Sequence, residues 1–168
     1  GFTVHGGSKD MIVRAAGPAL SAFGVPGAMT DPLIELYTGG TRITTNDNWP
    51  SSLGPRFPQV GAFGFPADSK DAAILQPLHG GYTVQVSGQG GGVVLVEGYD
   101  AGSGTSSRLV NLSARNRSGV GGDVLIAGFN VAGTGTIRVL VRGIGPALAA
   151  YGVPGTLVDP RLEIFSSS

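Results

Sequence analysis

Apolar and polar residues alternate along most of this chain. In GYTVQVSG (residues 81–88) Tyr82, Val84 and Val86 fall on one side and Thr83, Gln85 and Ser87 on the other, the period of two that marks a strand buried on one face. GVVLVEGYD (92–100) follows a Gly-rich link, and the two read as a β-hairpin whose glycines supply the positive-φ positions of the turn. MIVRA (11–15), LIELY (33–37), TRITT (41–45), RLVNLSAR (108–115), DVLIAGF (123–129), IRVLVRG (137–143) and RLEIF (161–165) are further strand candidates. They are rich in the β-branched and aromatic residues that suit a pleated surface.

Helical periodicity is nearly absent. The best candidate lies in a phrase that occurs twice, GPALSAFGVPG (17–27) and GPALAAYGVPG (145–155). Pro18 and Pro146 suit the first position of a short helical turn, where no N–H is needed. The glycine that follows suits a left-handed cap, and Pro26 and Pro154 forbid continuation. Short strands, Gly/Pro turns and no amphipathic helix predict an all-β fold, an antiparallel sandwich or jelly-roll-like module. Residues 46–70, with four prolines and three glycines, read as a long loop. Its Trp49, Phe57, Phe63 and Phe65 are expected to fold back as a lid over an open end of the core.

The duplication is longer than the phrase. Met11–Tyr37 aligns with Val139–Phe165 at a constant shift of 128, with fourteen of twenty-seven positions identical, and Gly1-Phe2 matches Gly128-Phe129 at a shift of 127. The chain therefore holds about one and a third periods. Residues 1–107 are expected to form a module lacking its opening strands. Residues 108–168 are expected to start the next repeat, or to donate strands that complete a neighbouring sandwich or the same one. Residues 1–40 and 128–168 as pseudo-symmetric halves of one sandwich is a further arrangement that the repeat allows.

The phrases VRAAGPALSAFGVPGAMTDPLIELY, TNDNW, DAAILQPLHGGYTVQVSGQGGGVVLVEGYD, RLVNLSAR and GGDVLIAGFNV resemble, in that order, a repeat found in tandem in large exported proteins of environmental bacteria. The likeness spans essentially the whole chain. It implies an extracellular or cell-surface, multi-copy β-protein and supplies no active site. Gly98 departs from it, standing where the repeat usually carries an apolar residue.

Composition narrows the function. Only 13% of the 168 residues are charged, against about 25% in a typical domain, and the eleven basic and eleven acidic residues cancel. Lysine occurs only at Lys9 and Lys70, so no basic face exists to hold a phosphate backbone, and nucleic acid is not an expected partner. Near-zero net charge leaves little repulsion between copies, which favours the chain itself, or adjacent repeats, as partner. There is no cysteine, hence no disulfide or thiolate metal site, and no apolar run is long enough to span a bilayer as a helix. Lys9–Met29 imitates a signal peptide, but it recurs internally and is read as fold; any true signal would lie upstream.

Candidate chemistry is sparse. His5 and His79 sit beside glycines, and no G-x-S-x-G elbow occurs, so no catalytic residue is assigned and no enzyme is expected. GIGPAL (143–148) has Leu148 where a dinucleotide loop needs its third glycine, so no organic cofactor is expected. Arg14, Asp31 and Glu35 recur as Arg142, Asp159 and Glu163, as structural residues would; Asp31 is expected to cap the turn before Pro32, and Arg14 to pair with Asp31 or Glu35. Asn46, Asp47 and Asn48 offer oxygens of the kind Ca²⁺ accepts, but they are also plain turn residues. Trp49 is the aromatic most suited to a glycan. Asn111 and Asn116 begin N-x-S sequons. The expectation is a non-catalytic structural module assembling by strand complementation, with sugar- or Ca²⁺-dependent adhesion as the alternative.

Overall fold

The stretch MIVRAA (11–16) is buried at every position rather than at every second one, because it lies at the centre of a sheet covered on both faces. In the computed structural model, which describes residues 1–166, six strands occur: β1 (Phe2–Ala16), β2 (Pro32–Thr38), β3 (Thr41–Asn46), β4 (Ala72–Gly88), β5 (Leu95–Asp100) and β6 (Arg108–Leu112). They hydrogen-bond antiparallel in the order β3-β2-β4-β1-β5, with β6 also on β1. The protein is thus all-β, with only short 3-10 turns beside the sheet.

The long strand β4 carries the architecture. Its first part pairs with β1, from Ala72 opposite Ala15 to Tyr82 opposite Phe2, and its last part pairs with β2, from Thr83 opposite Tyr37 to Gly88 opposite Pro32. Alternation along β1 and β4 then sorts the apolar residues by face. Met11, Val13, Ala15, Ala72, Ile74 and Leu78 join Ile34 and Leu36 of β2 in one cluster. Ile12, Ala16 and Ala73 face the other way and meet Leu53, Phe57, Ala62 and Phe65 of the 46–70 segment. The expected lid is therefore a layer of the core, built on 3-10 turns at Ser51–Arg56 and Pro58–Val60.

The expected hairpin of 81–88 with 92–100 does not form. β5 pairs with β1, Leu95 opposite Ala16 through Asp100 opposite Met11. The Gly-rich link instead leads the chain across, making an isolated parallel bridge between Val93 and Ala28. Gly92 is held there at φ 136, where a Cβ would stand 2.8 Å from the Met29 backbone. Between Val4 and Lys9, β1 bulges opposite His79. The bulge turns Lys9 inward, and its ammonium donates to Gly104 O (2.7 Å) and Ser107 O (3.2 Å) and lies 3.0 Å from Asp100 Oδ2.

Two compact units result, Gly1–Ser113 and a second beginning at Ala114. The boundary falls beyond residue 107 because β6 pairs with β1 of its own chain, Leu112 opposite Phe2 and Arg108 opposite His5. Residues 1–40 and 128–166 fall in different units. Among the described residues of the second unit, the candidates 123–129, 137–143 and 161–165 form no strand; a strand exists only with a partner to hydrogen-bond.

Candidate functional site

The repeated phrase is the site, because the chain holds it in two states. In the first unit, Pro18–Phe23 is a 3-10 helix whose own flank provides no side-chain cap. The cap comes from far along the chain. The Asp71 carboxylate, wholly buried, accepts from Gly17 N (2.7 Å) and Ala19 N (3.2 Å) through Oδ1 and from the Ser69 hydroxyl (2.6 Å) through Oδ2. Trp49 completes the arrangement: its indole N–H donates to Ser69 Oγ (3.2 Å) and its backbone N–H to Asp71 O (2.8 Å). A buried carboxylate is tolerated when its oxygens are met in this way.

Arg14 is the second anchor and is fully buried. Register sets it opposite Glu97 on β5. Its Nε donates to Glu97 Oε2 (2.9 Å) and its Nη1 to Phe63 O (2.6 Å). Nη2 lies 2.7 Å from the same Glu97 oxygen but is poorly aligned for a hydrogen bond, so that contact is purely ionic. The guanidinium also stacks 4.4 Å, 4.6 Å and 4.0 Å from the ring centres of Phe57, Phe63 and Phe65, a favourable arrangement for a desolvated cation. The pairing of Arg14 with Asp31 or Glu35 is thereby corrected. Glu35 pairs with Arg42 on β3, and Asp31 stands exposed before β2.

Tyr99, two residues from Glu97 and on the same side of β5, donates its hydroxyl to Glu97 Oε1 (2.5 Å). Burial first, then the hydrogen bond and charge of Glu97, push this hydroxyl up to about 12, from an ordinary value of about 10. The folded chain therefore holds the proton longer than the unfolded chain. The corresponding stability is whole below about pH 10 and is lost as pH rises from there through about 12. Tyr99→Phe is expected to flatten the decline in Tm across that interval; an alkaline slope identical to that of the parent would refute this account.

The second copy keeps the backbone of the first without its cover. Gly145 has φ −119 and ψ −84 where Gly17 has −121 and −77, and the capping Gly152 has φ 72 and ψ 19 where Gly24 has 69 and 23. The turn hydrogen bonds Leu148 N to Gly145 O (3.0 Å), Gly152 N to Ala149 O (3.0 Å) and Val153 N to Leu148 O (3.3 Å) reproduce those of the first copy. A Cβ on Gly17 would stand 2.2 Å from Met29 O, and one on Gly145 would stand 2.1 Å from Leu157 O, so both positions demand glycine.

Exposure separates the copies. Ile12 is 0% exposed and its counterpart Leu140 85%; Leu36 is 0% and its counterpart Ile164 72%. Arg142, Asp159 and Glu163 are all on the surface, the last paired with Arg161.

The remaining candidates are placed as follows. Asn46 Oδ1 accepts from Ala73 N (2.9 Å) and its Nδ2 donates to Asn48 O (2.8 Å), so both ends of this amide are engaged within the chain. The described residues hold no cluster of three or more His, Cys, Asp or Glu. Trp49 is half-buried, packed on Phe57 and Phe65 with ring centres 5.6 Å and 5.8 Å away; it is not the lone aromatic platform a glycan needs. Asn111 is exposed on β6, and Asn116, also exposed, turns Oδ1 onto Arg117 N (2.8 Å). His5 and His79 are exposed. An open concavity of about 470 Å³, lined by Tyr37, Tyr82, Thr83, Gln85 and Asn111 among others, contains no histidine or carboxylate side chain. No helix among the described residues is long and apolar enough to cross a membrane.

The buried Asp71 and Lys9 and the part-buried Glu97 are the charges that sequence reasoning missed. Comparison with protein-family models, curated proteins and solved structures finds no match for this chain.

Proposed function

We propose that this chain is a structural, non-catalytic module of an extracellular assembly, joining head-to-tail into a filament or repetitive surface array by strand complementation. The observation that carries the reading is the duplicated stretch: the apolar flanks of the phrase, Ile12 and Leu36, are core in the first unit, and their counterparts Leu140 and Ile164 are bare in the second. Each large apolar side chain left in water forgoes about 1.5–3 kcal/mol, so several together favour an assembly that covers them. Three features support the same reading. β6 shows that a strand from far along the chain docks on the edge of β1. The low, balanced charge lets copies approach. The order of the sequence phrases resembles that of exported tandem-repeat proteins.

Purified chain is expected to form filaments or beaded strings under the electron microscope, with a broad mass distribution by light scattering. Deleting Arg108–Ala127, which removes β6, is expected to give poorly folded monomers. A parent chain that stays monomeric at high concentration, or unchanged filaments after the deletion, would overturn the proposal.

A further inference from the structure

We infer that the bare face of the second copy, Val139–Phe165, is a receptor for one kind of occupant: a polypeptide segment with the chemistry of Trp49–Asp100. The inference rests on the reading above only in treating the chain as a complementing module. It specifies what the complement must carry.

The argument is a comparison within one chain. The two copies share backbone geometry at Gly17/Gly145, Gly24/Gly152 and the turn hydrogen bonds. What covers the first copy therefore defines what fits the second. Three features are required. The amides of Gly145 and Ala147 need a carboxylate acceptor, as Gly17 N and Ala19 N have in Asp71. Arg142 needs a glutamate opposite it in register and a set of aromatic rings, as Arg14 has in Glu97, Phe57, Phe63 and Phe65. Leu140 and Ile164 need an apolar lid and a strand, as Ile12 and Leu36 have.

These demands exclude the simplest competitor, a second copy of the same bare face. The one glutamate of such a face, Glu163, already pairs with Arg161, so Arg142 would be buried without a free glutamate opposite it, and an unpaired buried cation is strongly unfavourable. A merely greasy surface fails for the same reason. A segment ordered as aromatic lid, buried aspartate, long strand and glutamate-bearing strand meets all three needs.

The test keeps the entire chain. At the shift of 128, Ser168 stands where Gly40 does, so a second Thr41–Ser113 joined directly after Ser168 continues the register. Hydrogen exchange is followed by NMR at a concentration where light scattering shows monomers. The amides of Leu140, Val141 and Leu162 are expected to gain protection of at least about 100-fold over the parent, approaching Ile12, Val13 and Ile34, as expected on passing from open to core segments. Asp71→Ala together with Glu97→Ala, made only in the added segment, should take back at least about tenfold, while Ile12 and Val13 stay protected as an internal control of folding.

Unchanged exchange at Leu140 in the extended chain overturns the inference. So does equal protection from the doubly substituted segment, which would mean that burial alone, not the stated chemistry, selects the occupant. Protection without filaments would retain this inference and remove the assembly reading. Filaments in which Leu140 stays unprotected would do the reverse.

Discussion

Arg14→Ala is expected to cost about 3–5 kcal/mol of folding stability, because it leaves Glu97 and the Phe63 carbonyl without their buried cation. Urea denaturation read by circular dichroism measures this directly. The same argument predicts a rescue. Arg14→Met combined with Glu97→Leu removes both charges and keeps apolar volume under the rings, and it should recover part of the loss, the Phe63 carbonyl and the Tyr99 hydroxyl still lacking their partners. An Arg14→Ala chain within about 1 kcal/mol of the parent would mean that the aromatic stack and ion pair do not hold the lid. The exposed pair Arg42–Glu35 is the natural contrast. Solvent screens it, and Arg42→Ala should leave the midpoint nearly unmoved.

The second large effect is at Asp71. Its replacement by alanine strips acceptors from Gly17 N, Ala19 N and the Ser69 hydroxyl, and each buried donor left unpaired costs about 1–3 kcal/mol. A total of roughly 2–6 kcal/mol is expected from the two buried amides, because the part-buried Ser69 hydroxyl can turn to water. Asp71→Asn keeps one carbonyl acceptor but sets an amide against Ser69, whose oxygen already accepts from Trp49, so it should fall between. Equilibrium unfolding followed by Trp49 fluorescence reads both variants, and in each the native emission should shift red as the indole loses its ordered partner. If Asp71→Ala unfolds at the parent midpoint, the carboxylate does not anchor the phrase.

These two residues also show where sequence reading reached its limit. The strands were legible wherever one face met water: 82–86 alternates cleanly, and β2 and β3 lie where 33–37 and 41–45 predicted. The 3-10 turn, its left-handed glycine caps and the inward lid were legible because proline, glycine and clustered aromatics act locally. Partner choice was not. Arg14 meets Glu97 rather than Glu35 because β5 crosses to β1 instead of turning back on β4, and nothing local to the Gly-rich link specifies that crossing. Asp71 resembles any loop aspartate until its distant amides are known. The duplicated arginine at 142 was the usable signal, since a buried cation in one copy implies the same demand in the other. Trp49 stood out only because it is the sole tryptophan, and rarity does not distinguish a ligand platform from a core wedge.

The Pro/Gly-framed turn has the same dihedral angles whether its apolar flank is packed or bare. Pro146, Pro154 and the left-handed Gly152 restrict the backbone of that turn whatever covers it. The proposed complement would meet a backbone already in its docked geometry, and a preorganised partner loses little affinity to ordering. Closure should then be fast and all-or-none, limited by the incoming lid and strands rather than by the surface that receives them.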